Sequence, residues 1–167
     1  MIHDFKGLVH TLAAIAAMLI GAVVFLRPKG GAAHRRLGYA FSACMGLLIA
    51  TSFSIYRLTG GFNFLHVFSV LSTIGLAFGL SYAFRRRPEG RWMLAHYYWM
   101  SWSYIGLLAA FVAEISTRVA MPYVASHFGS KYLMGFWMVV GAATGVVVVA
   151  GRAVVNRNRP GSRAAPG

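Results

Sequence analysis

Five runs of about 20 mostly apolar residues, separated by short connectors, constrain this 167-residue chain more than any other feature. A helix needs about 20 such residues to cross the hydrocarbon core of a bilayer. The runs are Gly7–Leu26, Leu37–Tyr56, Phe62–Phe84, Trp92–Ile115 and Tyr132–Gly151. Breakers and charges punctuate them: Arg27-Pro28-Lys29-Gly30-Gly31, Thr59-Gly60-Gly61 and Arg86-Arg87-Pro88-Glu89-Gly90. Links this short make neighbouring helices antiparallel. The expected fold is an all-α integral membrane protein with five transmembrane helices: a four-helix antiparallel bundle and a fifth packing helix. It forms a single transmembrane domain over residues 1–151. The longer link from Ser116 to Lys131 contains Pro122 and has room for a short interfacial segment. Residues 152–167 read as a basic, disordered cytoplasmic tail. The first run is too long for a cleaved signal peptide and lacks its basic flank.

Composition narrows the class further. The chain is 58% hydrophobic and only 11% charged, whereas soluble domains carry roughly a quarter charged residues. A disordered chain and an ordinary soluble globule are both excluded. The formal charge of +13, from 16 Lys+Arg against 3 Asp+Glu, raises the question of nucleic acid. The cations lie between apolar runs, however, and no basic groove interleaved with aromatics is present, so no nucleic-acid partner is expected. Their distribution fits membrane orientation instead. Arg27, Lys29, Arg35, Arg36, Arg85, Arg86, Arg87, Arg91, Arg152, Arg157, Arg159 and Arg163 fall on one side, and only Lys6, Arg57, Arg118 and Lys131 on the other. The positive-inside rule places the N-terminus outside and the C-terminus in the cytoplasm of a bacterial inner membrane. The lone cysteine, Cys44, allows no internal disulfide and no cysteine-rich metal site.

Ionisable side chains inside spans are costly and point to function. His3 precedes the first run and His127 lies in an outer loop, so both read as solvated. The other four histidines form a pattern. His10 and His66 fall near the outer ends of spans one and three, and His34 and His96 near the cytoplasmic ends of spans two and four. Spans one and three, and spans two and four, are the diagonals of an antiparallel bundle. A diagonal imidazole pair can hold a haem iron from both sides. His34, beside Arg35 and Arg36, becomes a ligand only if its helix starts before it; otherwise it belongs to a basic turn.

The faces carrying two of these histidines are lined with small residues: Ala13, Ala14, Ala17 and Gly21 after His10, and Ser69, Val70, Thr73 and Ala77 after His66. Small residues leave room for a flat cofactor, or simply let helices pack closely. His96 and Glu114 are 18 residues apart, five helical turns, and share a face. Glu114 falls near the depth of His10 and His66, and two histidines with a carboxylate can bind a Zn, Cu or Fe ion. An ion pair with Arg118, four residues on, is the favoured reading of Glu114. Trp92, Tyr97, Tyr98 and Trp99 read as an interfacial belt, while Trp102 and Tyr104 have the depth to line a cofactor pocket. Met45, Met93 and Met100 read as packing residues. The fifth span carries no ionisable residue in its interior and holds Gly141-Ala142-Ala143-Thr144-Gly145, a close-packing motif suited to helix packing or oligomerisation.

Read together, His10, Lys29-Gly30, His34-Arg35-Arg36-Leu37-Gly38-Tyr39, Gly60-Gly61-Phe62, His66, and His96 with Met100, Tyr104 and the Glu114-to-Arg118 ending resemble an uncharacterised bacterial family of predicted multi-span membrane proteins, a domain of unknown function. The resemblance covers about residues 7 to 120 and implies a membrane address. In architecture alone, the alternate-span pairing is similar to transmembrane di-haem b-type cytochromes. That likeness implies one or two haem b groups on His10/His66 and His34/His96, with quinol or another redox protein as partner. Arg57 or Arg118 outside, and Arg35, Arg36 or Arg91 inside, would neutralise the propionates. Two other readings stand beside it. One is a non-haem metal or respiratory-complex assembly protein using His10, His66 and Glu114; the other is an accessory subunit or homo-oligomer without cofactor. Soluble-enzyme signatures are absent, and no span is broken midway as transporters require.

Overall fold

A computed structural model describes residues 5–55, 60–62, 64–128 and 133–159. Its described secondary structure is helical: α1 (Phe5–Leu26), α2 (Ala32–Ser52), α3 (Phe64–Arg85), α4 (Trp92–Ile115), a π-helical turn (Ser116–Ala120), α5 (Met121–Phe128) and α6 (Leu133–Arg157). Four stretches are long and apolar enough to cross a membrane: Phe5–Leu26, His66–Arg85, Trp92–Val124 and Met134–Arg157. The second helix has the length, at 21 residues. Its opening His34, Arg35 and Arg36 and its closing Thr51 and Ser52 make it the least apolar of the five long helices.

Three boundaries differ from the sequence expectation, each for a physical reason. Gly30, with φ +90, makes the turn after α1, and Gly31 is extended at the head of α2. Nothing then bars a helix, which starts at Ala32 rather than Leu37 and takes in His34, Arg35 and Arg36. The turn itself is tied by Lys29, whose ammonium donates to the carbonyls of Phe25 (2.6 Å) and Arg27 (2.9 Å) and so caps the end of α1. Partial burial holds the Lys29 ammonium below the ordinary lysine range. The link after α4 is not a separate interfacial segment. The helix runs on through the π turn, closed by the Met121 amide donating to Ser116 O, and into α5 with Pro122 in its first turn. Finally, α6 does not stop at Gly151 but continues to Arg157. Val155, 3% exposed, holds that extra turn in the core, so residues 152–157 are helix rather than disordered tail. Residues 160–167, His3, Arg57 and Lys131 lie outside the described residues.

The chain forms two compact units, residues 1–76 and 77–167, with α3 contributing to both. In the first unit α1 packs on α2. The buried face of α1 is Ala13, Ala17 and Gly21, and that of α2 is Phe41, Met45 and Leu48. The stripe of small residues after His10 is therefore a packing face of α1 in the α1–α2 pair. The stripe expected after His66, by contrast, is not buried: Val70, Thr73 and Ala77 are exposed and Ser69 is half-buried. The inward face of α3 is instead Ser72, Gly75, Leu76 and Gly79.

In the second unit α4 is the central helix, with two buried faces. Ile105 of α4 lies against Gly151 of α6, where an added Cβ would come within 2.7 Å of Ile105 Cγ1. The Tyr97 hydroxyl donates to Val155 O (2.9 Å). The opposite face carries Met100, whose Sδ lies 2.5 Å from the Cβ position of Gly79 on α3, while Trp99 stacks on Phe78 (4.9 Å). Buried Phe136 and Val140 complete the inner face of α6. Gly141 and Gly145, the glycines of the expected packing motif, meet nothing within 4 Å of their Cβ positions. It is Gly151 that makes the close approach.

Candidate functional site

The first unit gathers polar side chains at the end of α2 remote from the Lys29 turn. His10 Nδ1 of α1 lies 3.0 Å from Thr51 Oγ1, in the last turn of α2. One turn deeper in α3, Ser69 accepts a hydrogen bond from Ser52 (2.7 Å). His66 is 3% exposed, with its ring stacked on Phe62 (5.1 Å) and tilted against Phe53 (6.3 Å). Three consecutive residues, Thr51, Ser52 and Phe53, thus reach α1 on one side and α3 on the other. These two phenylalanines flank the buried His66 ring.

The hydrogen-bond network assigns the protons. Thr51 has one hydroxyl hydrogen, directed to the carbonyls of Leu47 and Leu48 (each 2.9 Å). Toward His10 its oxygen therefore accepts, and Nδ1–H donates. His96 Nδ1 lies 2.8 Å from Gly79 O. A carbonyl can only accept, so that ring is also Nδ1-protonated. In both rings Nδ1 is the nitrogen engaged by the protein. Fixing the tautomer through the distal nitrogen is how proteins prepare a histidine for metal ligation.

His34 is half-buried in the first turn of α2, at the opposite end of that helix from His10 and His66. The helix starts before it, as a ligand role requires. His34 and His96 belong to different units. His127 is exposed and sits on α5, stacked on Tyr123 (4.1 Å). Arg35 donates to Gly30 O (3.3 Å). Met45 is completely buried and Met100 rests on Gly79, both as packing residues. Trp102 is 39% exposed.

Glu114 takes the bland role. Arg118 Nη2 approaches its Oε1 at 2.8 Å, and Arg118 Nε donates to the same oxygen at 2.8 Å. Arg118 is thus committed to a carboxylate in its own helix rather than offered to a propionate. Among the described residues, no group of three or more His, Cys, Asp or Glu side chains is positioned to hold a metal ion. The threonine and two phenylalanines that frame the histidines carry no ionisable signal, and their role was visible only once α2 was placed between α1 and α3.

The fold and these side chains define a class: a helical membrane protein with histidines held inside its helices. The chain belongs to the family described as predicted membrane protein (DUF2306), whose model matches residues 7–154. No curated protein and no solved structure matches it.

Proposed function

We propose that this is a membrane-embedded b-type cytochrome-like electron-transfer protein, in which His10 and His66 would hold one haem. The observation that carries this reading is their shared anchorage on one turn of α2: Thr51 holds His10 and Phe53 flanks His66. The donor set suits the group. His10 is held through Nδ1 by Thr51, and His66 is buried beside aromatic rings that suit a flat macrocycle. When bound, haem supplies one-electron iron chemistry; the chain's own residues hold the ring nitrogens, fix their tautomers and exclude water. The sequence pairing of His34 and His96, the latter oriented by Gly79 O, would supply ligands to a second haem if one is bound.

In this reading five helices cross a bacterial inner membrane, α1 to α4 as an antiparallel bundle with α6 outside it. The N-terminus faces out and the C-terminus faces the cytoplasm, following the arginine bias. Quinol or another redox protein is the partner. One observation favours a second reading, an accessory subunit without haem. Ala13, Ala17 and Gly21, the small residues below His10, are used up in packing against α2.

The test is the absorption spectrum of the purified chain, made with ample haem, air-oxidised and then dithionite-reduced. A sharp reduced α band and shifted Soret are expected, both lost in His10→Ala and His66→Ala. Haem per chain then gives one or two sites, and His34→Ala and His96→Ala remove the second. A flat visible spectrum overturns the cytochrome reading. Metal analysis then tests the non-haem alternative at His10, His66 and Glu114, and retained host-complex activity in the histidine variants supports the accessory subunit.

A further inference from the structure

Arg152 carries a charge at a height where the rest of its unit is apolar. Its neighbour Gly151 meets Ile105, at mid-length of α4. That point lies about 20 Å of helix rise from Trp92. The exposed arginines of the α3–α4 turn mark the polar boundary at the Trp92 end, so Arg152 stands well inside the span and not among them. α6 runs on toward the turn, where Val155 O receives the Tyr97 hydroxyl. Ala153, Val154 and Val155 continue its apolar sequence before Asn156 and Arg157. Long cations snorkel only from near a helix end. The Cα–Cβ bond of Arg152 also leans toward the start of α6, which is away from the turn. Arg152 is exposed, and among the described residues it makes no ion pair or side-chain hydrogen bond.

An arginine at this depth is costly unless a counter-charge meets it. The chain has three acids, and none can serve. Asp4 precedes the first span, Glu89 lies in the α3–α4 turn, and Glu114 is paired with Arg118 further along α4. A second copy brings only the same three. The counter-charge therefore comes from outside the chain. Gly141 and Gly145 lie three and two turns before Arg152 on the same side of α6, and added Cβ atoms there meet nothing within 4 Å. A helix backbone can come close beside the charge. We propose that this side of α6 docks a transmembrane helix of another protein, one that carries an Asp or Glu at mid-membrane depth to pair with Arg152. The inference holds whether or not the histidines bind haem.

Energy transfer from the labelled full chain to synthetic transmembrane helices in phosphatidylcholine vesicles tests this. The probes are leucine–alanine helices of about 20 residues that differ at one position: Asp at the centre, Asn at the centre, Asp one turn from an end, or no polar residue. A central residue has the same depth whichever way the probe inserts. The central-Asp helix is expected to bind about tenfold more tightly than the other three. R152Q should abolish that preference and R152K should keep it, as should R87Q at the turn, all with unchanged circular dichroism. Comparing the probes on the parent chain decides the matter even if R152Q fails to fold. Equal binding of the central-Asp and apolar helices overturns the proposal. Tightest binding of the end-Asp helix does so too, because it puts Arg152 at the surface. Equal binding of the Asn helix would mean a hydrogen bond without charge pairing, and overturns it as well. Loss of the preference in vesicles containing phosphatidylglycerol would make a lipid phosphate the counter-charge, and transfer between copies of the chain that R152Q removes would make the occupant a second copy; either result overturns the assignment.

Discussion

His10 Nδ1 and Thr51 Oγ1 stand 3.0 Å apart and join the first helix to the last turn of the second. The hydroxyl hydrogen of Thr51 is directed to backbone carbonyls, so the threonine is the acceptor and the histidine the donor. One contact thereby ties two helices and orients the His10 ring. Thr51→Val keeps the shape and removes the acceptor. The expected result is a loss of about 0.5–1 kcal/mol, typical of an interhelical hydrogen bond in a membrane. If the proposed haem is bound, its retention should fall together with it, and Thr51→Ser should restore both. Denaturant titration by circular dichroism and the reduced spectrum check the two effects separately. A valine variant with unchanged spectrum would show that Thr51 does not orient His10.

Gly79 serves His96 in a different way. A Cβ there would lie 2.5 Å from Met100 Sδ and 3.3 Å from the Met100 backbone nitrogen, while the Gly79 carbonyl accepts from His96 Nδ1. The sulfur can swing aside but the backbone cannot. Gly79→Ala is expected to cost about 1–3 kcal/mol, as overpacking does. In a Met100→Ala background the added cost should shrink, because the nearest obstacle is gone. A double-mutant cycle on thermal unfolding reads the coupling. Equal costs in both backgrounds would place the strain elsewhere.

Glu114 and Arg118 form a partly exposed pair on one helix face. Such pairs contribute little, so Glu114→Gln is expected to change stability by no more than about 0.5 kcal/mol. If the carboxylate were instead a metal ligand, the same substitution would strip bound metal from the protein. Elemental analysis of the purified variant beside the parent chain decides between the two, with unchanged metal content expected.

The sequence carried the positions of the long helices, because apolar runs and charged breakers set them. It was less informative where a boundary looked electrostatic. His34-Arg35-Arg36 has the composition of a solvated turn, yet the turn was already complete at Gly30, with φ +90, and helix resumed at Ala32. Arg152 reads as the end of a span, but a helix need not stop at the membrane surface, and Val155 O receives the Tyr97 hydroxyl beyond it. Phe53 and Phe62 lie beside the buried His66 ring. Neither phenylalanine is distinguishable from a packing residue until the chain is folded.

The glycines of α6 separate a motif from a contact. Gly141 and Gly145 have the four-residue spacing of a close-packing pair, yet added Cβ atoms there meet nothing within 4 Å in this chain. Gly151 has no such partner in sequence, yet its Cβ position lies 2.7 Å from Ile105 Cγ1, 2.9 Å from Cδ1 and 3.2 Å from Cγ2. Three atoms of a β-branched side chain surround the site, and a stiff isoleucine yields little. Gly151→Ala should therefore destabilise the monomer by about 1–3 kcal/mol. Gly141→Ala and Gly145→Ala should be neutral or slightly stabilising, within about 1 kcal/mol, since alanine is the better helix former. Thermal unfolding of the three variants at low protein concentration tests the order. If Gly141→Ala or Gly145→Ala proves destabilising only as protein concentration rises, the open face of α6 is an interface between copies of the chain. A cost that does not depend on concentration would mean that α6 packs through those glycines within the monomer.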